Sequence, residues 1–317
     1  MRQHPQSNLR QRTDHHSVRG VLPASYQTDP RLCDRVFSLL EPTFPGVGRS
    51  RHNAEAFGAR WEDVSTPFVV EHQGRVVCHV GLMPMPLWAL GSPLRCGGVH
   101  GVATEPGFRR RGLFRAAMES LLDVAGSRFE TLILTTLHRE YFEPFGFRVV
   151  PESVFRYRTS VVPPATESRI LDFRRPSDLS LMHRLLEERT PTSDVMGVGV
   201  EKAGWAFYEY ESLIRYLPDR DVAVIARQDG DTLRLYDVIG RSIPPIAAVV
   251  AAFSDPIREV VAYLSPDRLG GGFVPEPHDL TGGPDALEPG TADFVLMVRG
   301  PFPAEGRPLM LPRPARC

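Results

Sequence analysis

The sequence predicts a mixed α/β protein with two units. Two hairpin-like patterns point to strands: apolar runs flank Gln73-Gly74 and, again, Asp229-Gly230-Asp231. Amphipathic stripes at helical spacing lie between and beyond them, so neither an all-α nor an all-β fold suits the chain. The chain has 317 residues, 42% hydrophobic and 9% aromatic, which leaves room for two cores.

The elements follow in order. Residues 1–25 are poor in apolar side chains and read as a loose tail in which His4, His15 and His16 are solvated rather than metal ligands. Leu32, Val36, Leu39 and Leu40 predict a helix over 30–40, and a short one is expected over 53–59. Strands are expected over 68–72 and 75–80, with the chain running on through 82–90, turning at Gly91-Ser92-Pro93 and returning through 97–104. Phe114, Ala117, Met118, Leu121, Leu122 and Ala125 form the apolar stripe of a helix over 111–125 that ends at Gly126. A buried strand is expected over 131–137, a short helix over 139–145 and a strand pair over 147–162, with Pro163-Pro164 as a linker. Beyond it come a helix over 177–186 capped by Ser177, a helix over 203–217, strands over 222–226 and 233–239, a helix over 246–253, and strands over 260–264 and 294–298. The two prolines within 309–317 predict an extended tail.

The most informative stretch is Val102-Ala103-Thr104-Glu105-Pro106-Gly107-Phe108-Arg109-Arg110-Arg111-Gly112-Leu113-Phe114-Arg115. A strand ends at a proline, a basic turn follows, and a helix begins just after a glycine. The first amides of such a helix have no partner within it, and with the positive end of its dipole they form an anion site. A P-loop lysine is absent, since Lys202 is the sole lysine, and so is a dinucleotide glycine fingerprint.

This strand–Pro–x–x–Arg–x–x–Gly arrangement resembles the acetyl-CoA loop of the GNAT superfamily of N-acetyltransferases. The wording Arg109-Arg110-Arg111-Gly112-Leu113-Phe114 is most similar to the enhanced-intracellular-survival branch, with Phe114 where that branch commonly has leucine. The resemblance implies an α/β GNAT fold, with units at 26–164 and 165–317. The second unit would be degenerate, because Arg241-Ser242-Ile243-Pro244-Pro245 replaces the Arg-x-x-Gly loop after Ile239-Gly240. It implies that Arg109, Arg110, Arg111, Gly112, Leu113 and Phe114 hold the pyrophosphate of acetyl-CoA, and that Val102, Ala103 and Thr104 pair with its pantetheine arm.

A second resemblance lies in Tyr141-Phe142-Glu143-Pro144-Phe145-Gly146-Phe147, the family's segment against the cofactor. The family usually has a proton-donating tyrosine where this chain has Phe142, so Phe142 would touch the cofactor without donating. Neighbouring Tyr141 is either the acid or a half-buried helix residue. The acceptor amine must lose a proton before it attacks. His138, after the buried strand, and His100, placed by alternation on the same face as Val102 and Thr104, are the candidate bases. Glu105 reads as a turn residue. Trp61, Glu62 and Asp63 either select a cationic amine or end a helix with solvated acids, and the Cys317 carboxylate is a further candidate for the acceptor site.

The function implied is acetyl transfer to an amine, small-molecule or protein, by direct attack in a ternary complex. The alternative is a non-catalytic acyl-CoA-binding or regulatory protein. A net charge of −1 and the absence of aromatic–basic interleaving argue against a nucleic-acid partner. Four scattered cysteines, no apolar leader and no long apolar run predict a cytoplasmic protein without metal or membrane partner, in which oligomers remain open.

Overall fold

The computed structural model describes residues 21, 23–159, 166–283, 286–287 and 290–316. The expected linker at Pro163-Pro164, Cys317 and most of the expected tail lie outside these residues. Pro23 and Ala24 do not belong to a loose segment: Pro23 bridges to Phe68, and the Ala24 amide donates to Pro67 O at 2.9 Å.

Helices α1 (Leu32–Leu40), α2 (Val47–Ala56) and α3 (Trp61–Val64) lead into β1 (Thr66–His72) and β2 (Arg75–Met85). Gln73 (φ 51°) and Gly74 (φ 75°) make the tight turn between these strands, a conformation that suits the right-handed twist of a hairpin. A short hairpin, β3 (Leu87–Ala89) and β4 (Ser92–Pro93), precedes β5 (Cys96–Thr104), α4 (Leu113–Ala125), β6 (Thr131–Thr136) and β7 (Arg148–Val149). The chain then forms β8 (Ser153–Arg158), β9 (Arg169–Ile170), α5 (Pro176–Glu187), β10 (Met196–Val198), α6 (Ala203–Glu209), β11 (Ile214–Leu217), β12 (Val222–Asp229) and β13 (Thr232–Gly240). It ends with α7 (Ile246–Val250), β14 (Glu259–Ala262), β15 (Val274–Pro277) and β16 (Val295–Arg299).

Several expected boundaries move. The second helix begins at Val47, not at 53. Ile214 and Tyr216 belong to β11 rather than to a helix over 203–217, because a turn follows α6 and the period changes from helical to two. Pro176 takes the first position of α5, so Ser177 is not its cap. The expected helix over 139–145 is two 3₁₀ turns, Arg139–Tyr141 and Glu143–Phe145.

The first sheet runs β1-β2-β5-β6-β16-β7 and the second β15-β8-β14-β13-β12-β11-β9. The expected strand pair over 147–162 is therefore split. Its first strand, β7, stays in the first sheet and its second, β8, pairs with β14 and β15 in the second. In return β16 enters the first sheet between β6 and β7. This exchange covers the far edge of β6, which would otherwise expose an unpaired row of amides and carbonyls. A third small sheet pairs β10 with β3, tying the two halves together.

On one face of the first sheet, Leu113, Ala117, Met118, Leu121 and Ala125 of α4 pack on Phe68, Val77, Val80, Val99 and Leu134. On the other face lie Leu32, Val36 and Leu40 of α1 and, from the C-terminal segment, Leu309, Leu311 and Ala315. That segment is buried rather than an exposed extended tail. In the second sheet the parallel pair β13–β14 holds only from Thr232↔Glu259 to Leu235↔Ala262. Beyond it the chain's own segments occupy the opening: the Thr190 amide donates to Gly240 O at 2.9 Å, Arg189 pairs with Asp237 at 2.8 Å, and the Met310 amide donates to Ser265 Oγ at 3.0 Å. The second unit thus fills the gap that the first leaves open.

Glu152, between β7 and β8, joins the two sheets. One of its oxygens accepts the Leu311 amide at 2.8 Å and the other pairs with Arg316 at 2.6 Å, with both side chains less than a tenth exposed. Glu152→Ala leaves a buried guanidinium without its partner. We expect it to cost about 3–5 kcal/mol in urea unfolding, and an unchanged midpoint would show the pair to be hydrated.

Candidate active site

The site forms where β5 and β6 part. Their parallel pairing spans only Cys96↔Thr131, Gly97↔Leu132 and Gly98↔Ile133. Past this point β6 is held from its far side by β16, while β5 remains paired with β2. The main-chain groups of Val99–Val102 that face β6 therefore have no strand partner on that side, while Thr104 O accepts from Arg109 Nε at 3.0 Å. The segment Val102, Ala103 and Thr104, expected to pair with a pantetheine arm, lies along this edge.

Strand β5 also carries a bulge. Cys78 pairs with Thr104, His79 with Ala103 and Gly81 with His100, so Val80 opposes two residues, Gly101 and Val102. Gly101 takes φ +58°, a value that suits glycine. The bulge overturns one expectation. His100 does not share a face with Val102 and Thr104. It packs edge-on against Trp61 on the α1 side, while Val102 packs with the α4 core. One inserted residue reverses the alternation.

After Thr104 the chain makes a 3₁₀ turn over Pro106–Phe108, and α4 starts at Leu113. Arg110 (φ +60°) and Gly112 (φ +78°) bend the main chain into a concave loop. The first helical bond runs from the Ala116 amide to Gly112 O at 3.0 Å, so the amides of Leu113, Phe114 and Arg115 begin the helix without partners inside it. A Cβ at Gly112 would meet no atom within 4 Å, so the space before these amides is open. The three arginines differ in role. Arg109 Nε donates to Thr104 O at 3.0 Å, and Arg111 donates to Gly107 O at 2.8 Å while lying 5.1 Å over the Phe108 ring. These two brace the loop, and Arg110 lies exposed at its tip. A cleft lined by Arg35, Leu39, Thr43, Arg75, Thr104 and Arg109 opens beside it. Glu105 pairs with Arg75 at 3.3 Å.

Phe142 is buried against Phe114 and Phe147 in the α4 core. Tyr141 points the other way, 55% exposed, and stacks on His138 at 5.1 Å. His138 caps the 3₁₀ turn just past β6, exposed, with Nδ1 3.2 Å from Glu140 Oε1. The site thus brings His138 and Tyr141 together and sets His100 apart. His100 lies buried behind the bulge, with Nε2 3.0 Å from Ser65 Oγ, and its ring occupies the space that a Cβ on Gly81 would need. Trp61 is buried against Phe37, His100 and Phe207. Glu62 is buried in an ion pair with Arg51 at 3.0 Å, so of the acidic pair only Asp63 faces solvent. Arg316 donates to Phe294 O, next to Val295, which pairs with Thr136 at the open end of β6.

A residue that sequence reasoning passed over is His79, a polar side chain inside the apolar run Val76-Val77-Cys78-His79-Val80. It is wholly buried, and its Nδ1 donates to Gly101 O at 2.6 Å. Burial pushes the His79 imidazole down to about 4, against the opposing pull of that hydrogen bond. Burial, and then the neighbouring His79, push His100 down to about 3. Both rings are therefore neutral at pH 7, and a buried imidazole held so far below its ordinary range is a weak proton acceptor.

Both imidazoles titrate at about 6.5 in an unfolded chain. Their contribution to stability is therefore intact above pH 6.5 and is lost as pH falls toward about 4, because only the unfolded state takes up the protons. Thermal unfolding should show a midpoint that drops across this window more steeply than in a His100→Gln variant. Equal slopes would mean that His100 takes up protons within the fold.

Among curated proteins no sequence matches significantly. Residues 28–150 match the family model of an acetyltransferase (GNAT) domain. The fold is similar to that of a probable N-acyltransferase from Enterococcus faecalis V583, with a TM-score of 0.54 and 14% identity over 88% of this chain and 71% of that one. It is similar also to Eis1 from Mycobacterium abscessus (TM-score 0.50, 15% identity, 86% and 71% covered) and to a GCN5-related N-acetyltransferase from Anabaena variabilis ATCC 29413 (TM-score 0.50, 14%, 86% and 70%). At these identities the likeness is one of fold, and it extends over both sheets. No described helix is long and apolar enough to cross a membrane. Residues 28–150 of this chain are a GNAT acetyltransferase domain.

Proposed function

We propose that the chain transfers the acetyl group of acetyl-CoA to a primary amine by direct attack at the parting of β5 and β6. The single observation that carries this reading is the coincidence of an open strand edge and an open helix N-terminus on one loop, within a GNAT acetyltransferase domain. The diphosphate fits the amides of Leu113–Arg115, with Arg110 adding charge at the loop tip and Phe114 lying beneath. The pantetheine arm extends along Val102–Thr104 in the manner of an added strand. This brings the thioester carbonyl beside the bulge at Gly101–Val102, whose amides lie outside the regular ladder and can donate to it.

In the reaction the amine nitrogen bonds to the thioester carbon, the C–S bond breaks, and CoA departs as a thiolate. His138 is our choice of base: Glu140 holds its Nδ1, which leaves Nε2 to take the amine proton. Tyr141, stacked on that ring, would return a proton to the sulfur through its hydroxyl. The acceptor is a small-molecule or protein amine reached from the side of α1 and the C-terminal segment. A reading as a non-catalytic acyl-CoA binder draws on Phe142, which buries its ring at the position where the family usually places its acid.

Calorimetry with acetyl-CoA should detect binding, and Arg110→Glu should weaken it about 10–100-fold, the range for a lost charge-assisted contact. No heat at millimolar ligand would remove the assignment. In a thiol-release assay with a panel of amines, Tyr141→Phe should lower kcat by about 10²–10⁴ with the cofactor Kd unchanged. An unaltered kcat would transfer the acid role elsewhere, and binding without thiol release from the native protein would leave a binder.

A further inference from the structure

The bulge in β5 is the least regular part of the catalytic strand, and one side chain fastens it. His79 stands on the neighbouring strand β2, opposite Ala103, and its Nδ1 lies 2.6 Å from Gly101 O. A carbonyl only accepts, so the imidazole carries its proton on Nδ1. Its Nε2 is buried and meets no hydrogen-bond partner. The ring therefore has one polar attachment, and that attachment is the bulge. Packing confines it further: a Cβ on Gly101 would come within 3.2 Å of the His79 ring and 3.3 Å of Leu40. The second buried imidazole, His100, has its centroid 6.0 Å from that of His79 and occupies the space over Gly81.

We infer that His79 is a positioning residue for acetyl transfer. Its Nδ1–H grips Gly101 O, and this grip holds the peptide groups of Gly101 and Val102 in the one orientation that aims an amide at the thioester carbonyl. The inference rests on the reading of the site given above. A peptide unit is rigid, so a clamp on a carbonyl fixes the amide in the same plane. An unclamped bulge would let these groups turn away. Orienting donors before the charge develops is what makes them effective, and a misalignment of about an ångström costs catalysis heavily. Neutrality is part of the device. A buried imidazole with one proton can donate from Nδ1 only, without placing a positive charge beside the site.

The test uses the full chain with acetyl-CoA labelled with ¹³C at the thioester carbonyl and follows its infrared stretch, so it needs no acceptor. In the native protein the bound band should lie below that of free acetyl-CoA. In His79→Leu the cofactor should bind with its Kd within about threefold while the band returns toward the free position. His79→Asn, whose Nδ2–H₂ can reach the same carbonyl, should keep the low band, and His79→Gln, whose donor sits one carbon farther out, should lose it. With an active amine, kcat should follow the band and KM for acetyl-CoA should not. Should His79→Leu fail to fold, the Asn and Gln variants decide the matter. A band in folded His79→Leu, or in His79→Gln, equal to the native one overturns the inference, as does a native band at the free position with cofactor bound. Absence of cofactor binding by the native protein overturns the underlying reading instead.

Discussion

The arrangement depends on two parallel strands that pair for three residues and then part. A parallel ladder satisfies its amides and carbonyls against a neighbour, so a parted ladder must find other partners or remain open. Here β6 finds one on its far side in β16, while β5 keeps β2 and leaves its inner edge free. The free edge leads straight into the loop and the N-terminus of α4, so main-chain donors run from the strand into the helix. What this edge and this helix end present is mainly main-chain donors, with the Arg110 side chain exposed at the loop tip. The sequence needs chiefly glycine at Gly101 and Gly112, where the main chain turns, and arginines to brace the turn.

The two sheets show the same opening resolved in opposite ways. In the second, segments 189–193 and 309–311 enter the gap between β13 and β14, and buried pairs such as Arg189–Asp237 hold them there. A gap filled by the protein's own chain is stable and has no room for a pantetheine arm. The exchange of β8 and β16 between the sheets, with the Glu152–Arg316 pair at the crossing, makes the filled unit a support for the open one. The C-terminal segment contributes to the cores of both units and comes close to the end of β6.

Buried histidines serve the first sheet in two ways. His100 fills the hollow above Gly81 and hydrogen-bonds Ser65, whereas His79 reaches the carbonyl at the bulge. The exposed pair His138 and Tyr141 sits past the end of β6, where water and substrates can reach. The exposed His138–Tyr141 pair and the two buried imidazoles thus lie on opposite sides of the parting.

Much was legible in the sequence because it depends on neighbours in the chain. The α4 stripe, the two hairpins and the loop with its proline and two glycines follow from spacing that local sterics enforce. The reading missed whatever depends on residues far apart. Alternation gave the wrong face for His100, because a bulge is a feature of pairing with β2 and cannot be counted along one strand. The strand pair over 147–162 divided between two sheets, because β16, some 140 residues later, competes for the same edge, and hydrogen bonding does not respect sequence distance. His79 looked like one more strand residue, and Trp61 with Glu62 read either as an amine-selecting pair or as a helix end with solvated acids, until packing gave each its partner. Local chemistry determined the elements and the anion loop. Tertiary pairing decided which strand edge stayed open and which histidines were sealed from water, because both depend on partners far away in the chain.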